Sequence, residues 1–164
     1  MKPLRYIAAL CTLLIGCTHA EIEELSNTTS ENGIPSHLYA TLDSDTTRIE
    51  LNNELNTVWS AGDAVSLFYR TTANNRFTFI GATGDKSGTL ERETAYTGTA
   101  MEDIVAIYPY SEEYVVDLAT NTVEIELPAT QHYLTGSYGV GDNPMLYAGD
   151  SDNILLRSLC GWIR

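Results

Sequence analysis

The most constraining feature of this chain is a series of short apolar runs that begins at residue 37. Apolar and polar residues alternate in most of these runs, as in strands with one buried face. Turn-forming Gly, Asn, Asp or Pro residues interrupt the series about every ten residues, which favours an antiparallel sandwich or barrel. After the first sixteen residues no 3.6-residue apolar period lasts three turns, so we expect little or no helix. The predicted strands are 37–42, 47–51, 64–69, 76–80, 88–91, 104–108, 122–127, 145–148 and 153–156.

Residues at the borders of these runs have the properties that strand ends and turns require. Trp59 leads into a turn at Gly62 and Asp63, where Gly62 can take the positive φ that such turns need. Pro109 and Pro128 follow apolar runs and end them, because proline donates no backbone hydrogen bond. These features build a fold and carry no catalytic chemistry.

The N-terminus has the form of a bacterial lipoprotein signal peptide. Lys2 and Arg5 precede an apolar segment, and the small Gly16 lies directly before Cys17. The apolar segment is shorter than the ~20 residues that span a bilayer as a helix. We therefore predict a signal peptide over 1–16, cleavage between Gly16 and Cys17, and lipid on Cys17, where two or three acyl chains make a lasting anchor. The alternative is an ordinary secretory leader that ends near a cysteine.

The charge balance excludes partners that are bound through phosphate groups. The chain has 9 basic and 22 acidic residues, and removal of the two leader cations leaves 7 against 22, or −15. Such a chain does not hold nucleic acid by electrostatics. Residues 17–36 contain four Glu and neither Lys nor Arg, which predicts an acidic tether behind the lipidated cysteine. We expect a lipid-anchored protein of the cell outer membrane, exposed on the surface.

Cysteine and histidine usage argues against enzymatic and metal chemistry. Cys11 lies in the leader and Cys17 takes lipid, so Cys160 has no partner for an intramolecular disulfide. We interpret Cys160 as a small buried apolar residue. The chain has no CxxC or HExxH motif and only three dispersed histidines. We predict a protein that is not an enzyme and uses no cofactor or metal.

Six short motifs occur in an order that resembles the fimbrillin-like family. That family comprises pilin subunits and accessory lipoproteins of type V fimbriae, and the resemblance to its N-terminal domain covers roughly residues 37–163. The motifs are Val58–Asp63, Phe77–Gly84 with Ser87–Thr89, Tyr108–Tyr110, Leu127–Gln131, Asn143–Met145 and Leu159–Gly161. Each motif alone is weak, and their common order carries the resemblance.

The resemblance implies an all-β fold, namely an antiparallel β-sandwich of Greek-key, transthyretin-like topology over residues 37–164. Members of the family continue past the motif at Leu159–Gly161, so we expect this domain to be incomplete at its C-terminus and the chain to be truncated. The implied function is that of a fimbrial structural or adhesive subunit, which assembles by β-strand exchange. In polymerising members a protease cuts after an arginine near the N-terminus and removes a strand, and a strand of the next subunit fills the groove.

Arg48 is the candidate site for that maturation cleavage. It is the only Lys or Arg between Arg5 and Arg70. The alternative is that Arg48 is a solvent-facing residue of the strand predicted at 47–51, since its neighbours alternate in polarity.

The expected partners are the membrane, through the N-terminal lipid, other fimbrial subunits and host or glycan ligands. A second candidate function is a surface glycan-binding lipoprotein, and a third is a surface glycosidase. In the second, exposed aromatic rings would stack on sugars, although packing and pairing between strands is the favoured explanation of such rings. The tyrosines concerned are Tyr110, Tyr114, Tyr133 and Tyr138.

Overall fold

The computed structural model describes residues 32–43, 57–125, 129–130, 133–134, 137–138 and 142–159. The described residues form eleven β-strands and no helix, and thus no helix that could cross a membrane. The strands are β1 (His37–Leu42), β2 (Ala64–Thr71), β3 (Asn75–Phe79), β4 (Ser87–Arg92), β5 (Ala100–Tyr108), β6 (Val116–Asp117), β7 (Thr122–Val123), β8 (Tyr133–Leu134), β9 (Ser137–Tyr138), β10 (Met145–Gly149) and β11 (Asn153–Ser158).

Seven of these strands form a closed barrel in the order β1-β11-β10-β5-β2-β3-β4. Strands β2, β3 and β4 follow one another as antiparallel neighbours, and β5 returns to pair with β2 in a Greek-key connection. Strand β10 pairs antiparallel with both β5 and β11. The remaining strands form two small ladders, β6-β7 and β8-β9.

Strand β1 closes the barrel. It runs antiparallel to β4, where His37 lies opposite Glu91, and parallel to β11, where Tyr39 lies opposite Asn153. A closed ring of seven strands cannot be antiparallel throughout, because an odd number of strands leaves one neighbouring pair running in the same direction. Among the described strands, that pair joins the first barrel strand, β1, to the last, β11.

The prediction of an antiparallel β-sandwich of transthyretin-like topology is wrong. The described strands are all-β as expected, but they form a closed mixed barrel with one parallel pair. Alternating polarity fixes which face of a strand is buried, and that face is the same in a sandwich and in a barrel. The feature that separates the two is a pairing between β1 and β11, which lie more than a hundred residues apart.

The barrel interior is filled by the inward side chains of every strand and by Trp59. The Trp59 ring stacks on Phe79 with 4.8 Å between ring centroids, and it meets Tyr108 edge-on at 6.0 Å. Such aromatic geometry is favourable beyond the burial of area alone. The buried cluster comprises Ile34, Leu38, Ala40, Leu42, Trp59, Val65, Leu67, Phe77, Phe79, Leu90, Ile104, Ala106, Tyr108, Met145, Ile154 and Leu156.

A second, smaller cluster lies on the outer face of the barrel. It is centred on Phe68 of β2, Ile107 of β5 and Val116 of β6. The β6-β7 ladder therefore contributes to a cover over this part of the sheet, with Tyr114 packed beside it. This arrangement explains why the run at 104–108 is apolar throughout, since β5 is covered on both faces.

Candidate functional site: the position of the closing strand

The site residues predicted from the sequence lie outside the described residues. Gly16 and Cys17, the predicted cleavage and lipidation site, precede them, and Arg48 falls between residues 43 and 57. Strand β1, which ends at Leu42, is the described element that most closely precedes Arg48 in the chain. The position of β1 between β4 and β11 is therefore the part of the barrel that bears on the predicted strand exchange.

Main-chain hydrogen bonds hold both ends of β1. At the C-terminal end of β1, main-chain N–H groups donate to a carbonyl of β11 and to a carbonyl in the turn before β4. Just before the N-terminal end of β1, a main-chain carbonyl accepts a hydrogen bond from β4. Beyond the regular ladders, the bonds are Leu42 N–H to Lys86 O (3.0 Å), Asp43 N–H to Leu156 O (2.9 Å) and Arg92 N–H to Ser36 O (2.9 Å). These are ordinary N–H···O lengths, so β1 is paired on both sides.

The two faces of β1 differ sharply in environment. Leu38, Ala40 and Leu42 point into the barrel and are buried. Tyr39 points outward with 46% of its surface exposed, and its hydroxyl lies 2.8 Å from the Ser87 hydroxyl of β4. Burying a leucine side chain contributes about 1.5–3 kcal/mol. Burial of the inward leucines and main-chain hydrogen bonding therefore provide most of the interaction that keeps β1 in the barrel.

Charged groups add little to this hold. Arg157 of β11 lies 3.2 Å from the Asp43 carboxylate just after β1, but its side chain is 71% exposed. His37 and Glu91, at the other end, are 3.9 Å apart and also reach solvent. Exposed ion pairs of this kind contribute between about 0 and 1 kcal/mol. Electrostatics therefore does not fix β1 in place.

Phe79 packs against the interior side of β4 next to β1. A Cβ atom added to Gly88 would lie 2.7 Å from Phe79 Cε2 and 3.1 Å from Cζ, so the ring occupies the space that a side chain at 88 would need. Phe79 cannot retreat freely, because Trp59 stacks on it. Within the described part of the chain, the buried Trp59 Nε1 has no hydrogen-bond partner.

A cavity of about 260 Å³ lies beside the end of β2 and is lined in part by Ile34, Tyr69 and Arg70. Arg70 has a positive φ of 52°, and its guanidinium donates to the Glu102 and Asp150 carbonyls at 3.1 and 2.8 Å. These bonds tie β2 to β5 and to the turn after β10. The strained backbone of Arg70 thus has a structural explanation in the groups that its side chain connects.

The Tyr69 hydroxyl donates to the Asp152 carboxylate at 2.9 Å. Burial, followed by this contact with Asp152, raises the pKa of the Tyr69 phenol above its usual value of 10.0. Asp152 is thereby engaged with a neutral donor from β2. The acidic turn at 150–153 thus acts as a structural connection.

Of the tyrosines considered for sugar stacking, Tyr110 and Tyr114 make contacts within the protein. Tyr110 lies against the Arg76 guanidinium, 4.9 Å from ring centroid to Cζ. Tyr114 packs on the outer cluster, and burial raises the pKa of its phenol. Tyr133 and Tyr138 are register partners in β8 and β9.

Among the residues that the structure describes, no group of three or more His, Cys, Asp or Glu side chains is placed to hold a metal ion.

Sequence reasoning did not single out Leu38, Ala40 or Leu42 as site residues. Their alternation in the run 37–42 indicated a buried face, but it did not indicate which strands would flank that face. A small residue between two leucines was the available signal.

Comparison of the chain with protein-family models, with curated proteins and with solved structures gives no match.

Proposed function

We propose that this chain is a lipid-anchored cell-surface protein of the fimbrial type, whose barrel takes part in assembly by exchange of the strand at the β1 position. The lipoprotein signal at Cys17 and the six ordered motifs support the surface and fimbrial parts of the proposal. The observation that carries the assembly part is that β1, the first of the described barrel strands, closes the barrel between β4 and β11. The proposed protein is structural or adhesive and is not an enzyme.

A closed barrel exchanges a strand only after one of its own strands leaves. Closure removes the unpaired edges on which a foreign strand could add. Departure of β1 would expose the edges of β4 and β11 together with the apolar space now filled by Leu38 and Leu42. An extended segment that enters this space would gain main-chain bonds on both sides and burial of alternate side chains.

Cleavage after Arg48 supplies a way to release β1. Arg48 lies six residues after Leu42, the last residue of β1, so this cut would separate β1, together with the lipid-bearing N-terminal segment, covalently from the other barrel strands. The cut strand would then be held by two leucines at about 1.5–3 kcal/mol each and by main-chain bonds at about 0.5–1.5 kcal/mol each. Attraction of this size retains a strand without making its replacement impossible.

The test is the state of the protein extracted from the surface of the producing cells. The wild type should give SDS-resistant ladders on gels, because exchanged strands resist dissociation. Arg48→Ala should give monomers that retain β1. Lys86→Ala, which removes an exposed cation in the turn before β4, is the matched control and should give the wild-type ladder.

Two results would contradict the proposal. Ladders of equal intensity from Arg48→Ala would show that cleavage at this arginine is not needed. Monomers from all three chains, combined with binding to polysaccharide, would favour the glycan-binding alternative.

A further inference from the structure

At the level of Ala40, two neighbouring strands of the barrel wall carry small residues. Ala40 is fully buried, and its Cα partner on β4 is Gly88. Residues directly opposite each other in antiparallel strands point to the same face, so alanine and glycine are neighbours on the interior wall. On β1 itself the buried leucines Leu38 and Leu42 flank this small position. The inward face of β1 therefore has a large–small–large pattern.

The small pair makes room for an aromatic ring. Phe79 lies over Gly88 so closely that a Cβ there would approach its Cε2 to 2.7 Å. The ring is held from behind by Trp59, which is itself completely buried. A larger side chain at the Ala40 position would have to displace this stack or push the strand outward. Interior packing at near-crystalline density makes either change unfavourable.

The direction of a strand in this position is not fixed by its neighbours. Because β1 is antiparallel to β4 and parallel to β11, these two neighbours run in opposite directions. Any occupant therefore forms one parallel and one antiparallel ladder, whichever way it runs. The inward series Leu38, Ala40 and Leu42 also reads the same in both directions. The size of the side chain at the central inward position, which Ala40 fills in β1, therefore discriminates among segments that could occupy the β1 position.

The outward positions of β1 restrict the size of a side chain less than the inward positions do. Tyr39 is 46% exposed and Thr41 is half-buried, so the side chains at these positions lie partly in solvent. Substitutions at exposed strand positions usually change stability by about 0.5 kcal/mol or less. The outward face therefore provides a matched control for the inward one.

We infer that the β1 position selects an extended partner segment in which two large aliphatic residues flank a small one at alternate positions. This inference rests on the proposed strand exchange and names the chemistry of the segment that replaces β1. The occupant is a partner polypeptide in extended conformation with a small residue, Ala or Gly, at the level of Gly88. Discrimination occurs at the Ala40 position, because the Phe79 ring fills the space over Gly88, the register partner of Ala40.

The test uses the whole chain with a recognition sequence for a specific protease inserted after Arg48, so that it does not depend on natural cleavage. The cut chain is incubated with excess fluorescent peptide of residues 36–43, and the bound fraction is measured by gel filtration. The Ala40→Leu peptide should be taken up at least about tenfold less than the parent peptide. The Thr41→Leu peptide, which places the same leucine side chain on the outward face, should match the parent within about twofold.

A groove variant separates size selection from a general effect of the peptide. Phe79→Leu in the cut chain should restore part of the uptake of the Ala40→Leu peptide, because it frees volume at that level. Uptake of parent and Ala40→Leu peptides to equal extents would overturn the selection rule while leaving strand exchange in place. Failure of the cut chain to take up any peptide, including the parent, would overturn the exchange itself and the rule with it.

Discussion

The close approach of Phe79 to Gly88 predicts that even a small side chain at position 88 destabilises the barrel. Gly88→Ala places a Cβ 2.7 Å from Phe79 Cε2, closer than real Cβ atoms come to ring carbons. The ring has little room to shift, because it stacks on Trp59 at 4.8 Å and also covers Gly81 on another side. We expect Gly88→Ala to destabilise the barrel even though it adds only one methyl group.

The expected size follows from two opposing effects. Overpacking a core costs about 1–3 kcal/mol. Replacing glycine by alanine also restricts the unfolded chain, which stabilises by about 0.4–1 kcal/mol. At the midpoints of these ranges, about 2 and about 0.7 kcal/mol, the net loss is about 1.3 kcal/mol in the free energy of unfolding. With a urea m-value of about 2 kcal/mol per molar, the unfolding midpoint should fall by about 0.7 M.

Urea unfolding followed by Trp fluorescence measures this loss. Thr89→Ala, at the next residue of β4, is the control and should change the free energy of unfolding by about 0.5 kcal/mol or less. In the double variant with Phe79→Leu, Gly88→Ala should cost less than it does alone, with a coupling of at least about 0.5 kcal/mol. A Gly88→Ala chain as stable as the wild type, or strict additivity with Phe79→Leu, would refute the packing argument.

Three further predictions concern other parts of the chain. Cys17→Ala should abolish labelling with radioactive palmitate, and persistent label would rule out this cysteine as the lipidation site. Asn75→Ala should cost about 2–3 kcal/mol in urea unfolding, because the buried Asn75 amide bonds the main-chain N–H and carbonyl of Tyr96; a loss below about 1 kcal/mol would contradict this role. The raised pKa of Tyr69 stabilises the fold below about pH 10, and this stability is lost as pH rises through the folded-state pKa. Tyr69→Phe should remove that alkaline loss, and unchanged alkaline unfolding would count against it.

Local features of this fold follow from the sequence. The strand predicted at 37–42 forms as β1 with those bounds, because its alternation matches a strand with one buried face. Gly62 has a φ of +87°, as the turn before β2 requires. Strand β5 ends at Tyr108, directly before Pro109, which donates no ladder hydrogen bond.

Long-range features of the fold do not follow from the sequence. Alternation shows that β1 has a buried face, but it carries no information about a parallel pairing with β11 at the other end of the domain. The run predicted as one strand at 122–127 pairs only through β7, Thr122–Val123, among its described residues. A strand of the barrel wall and a strand of the outer cover show the same alternation, so pattern alone cannot separate them.

The exchange at β1 can be tested most directly by locking that strand in place. Tyr39 and Asn153 are register partners on β1 and β11 and both are exposed, so cysteines at these positions can form a disulfide across the parallel pair. The measurement is the SDS-resistant ladder of the surface-extracted Tyr39→Cys, Asn153→Cys chain in a Cys160→Ser background, oxidised and reduced. If β1 exchanges, the oxidised protein should remain monomeric and ladders should form after assembly under reducing conditions. Ladders of equal intensity in both states would show that β1 does not have to leave.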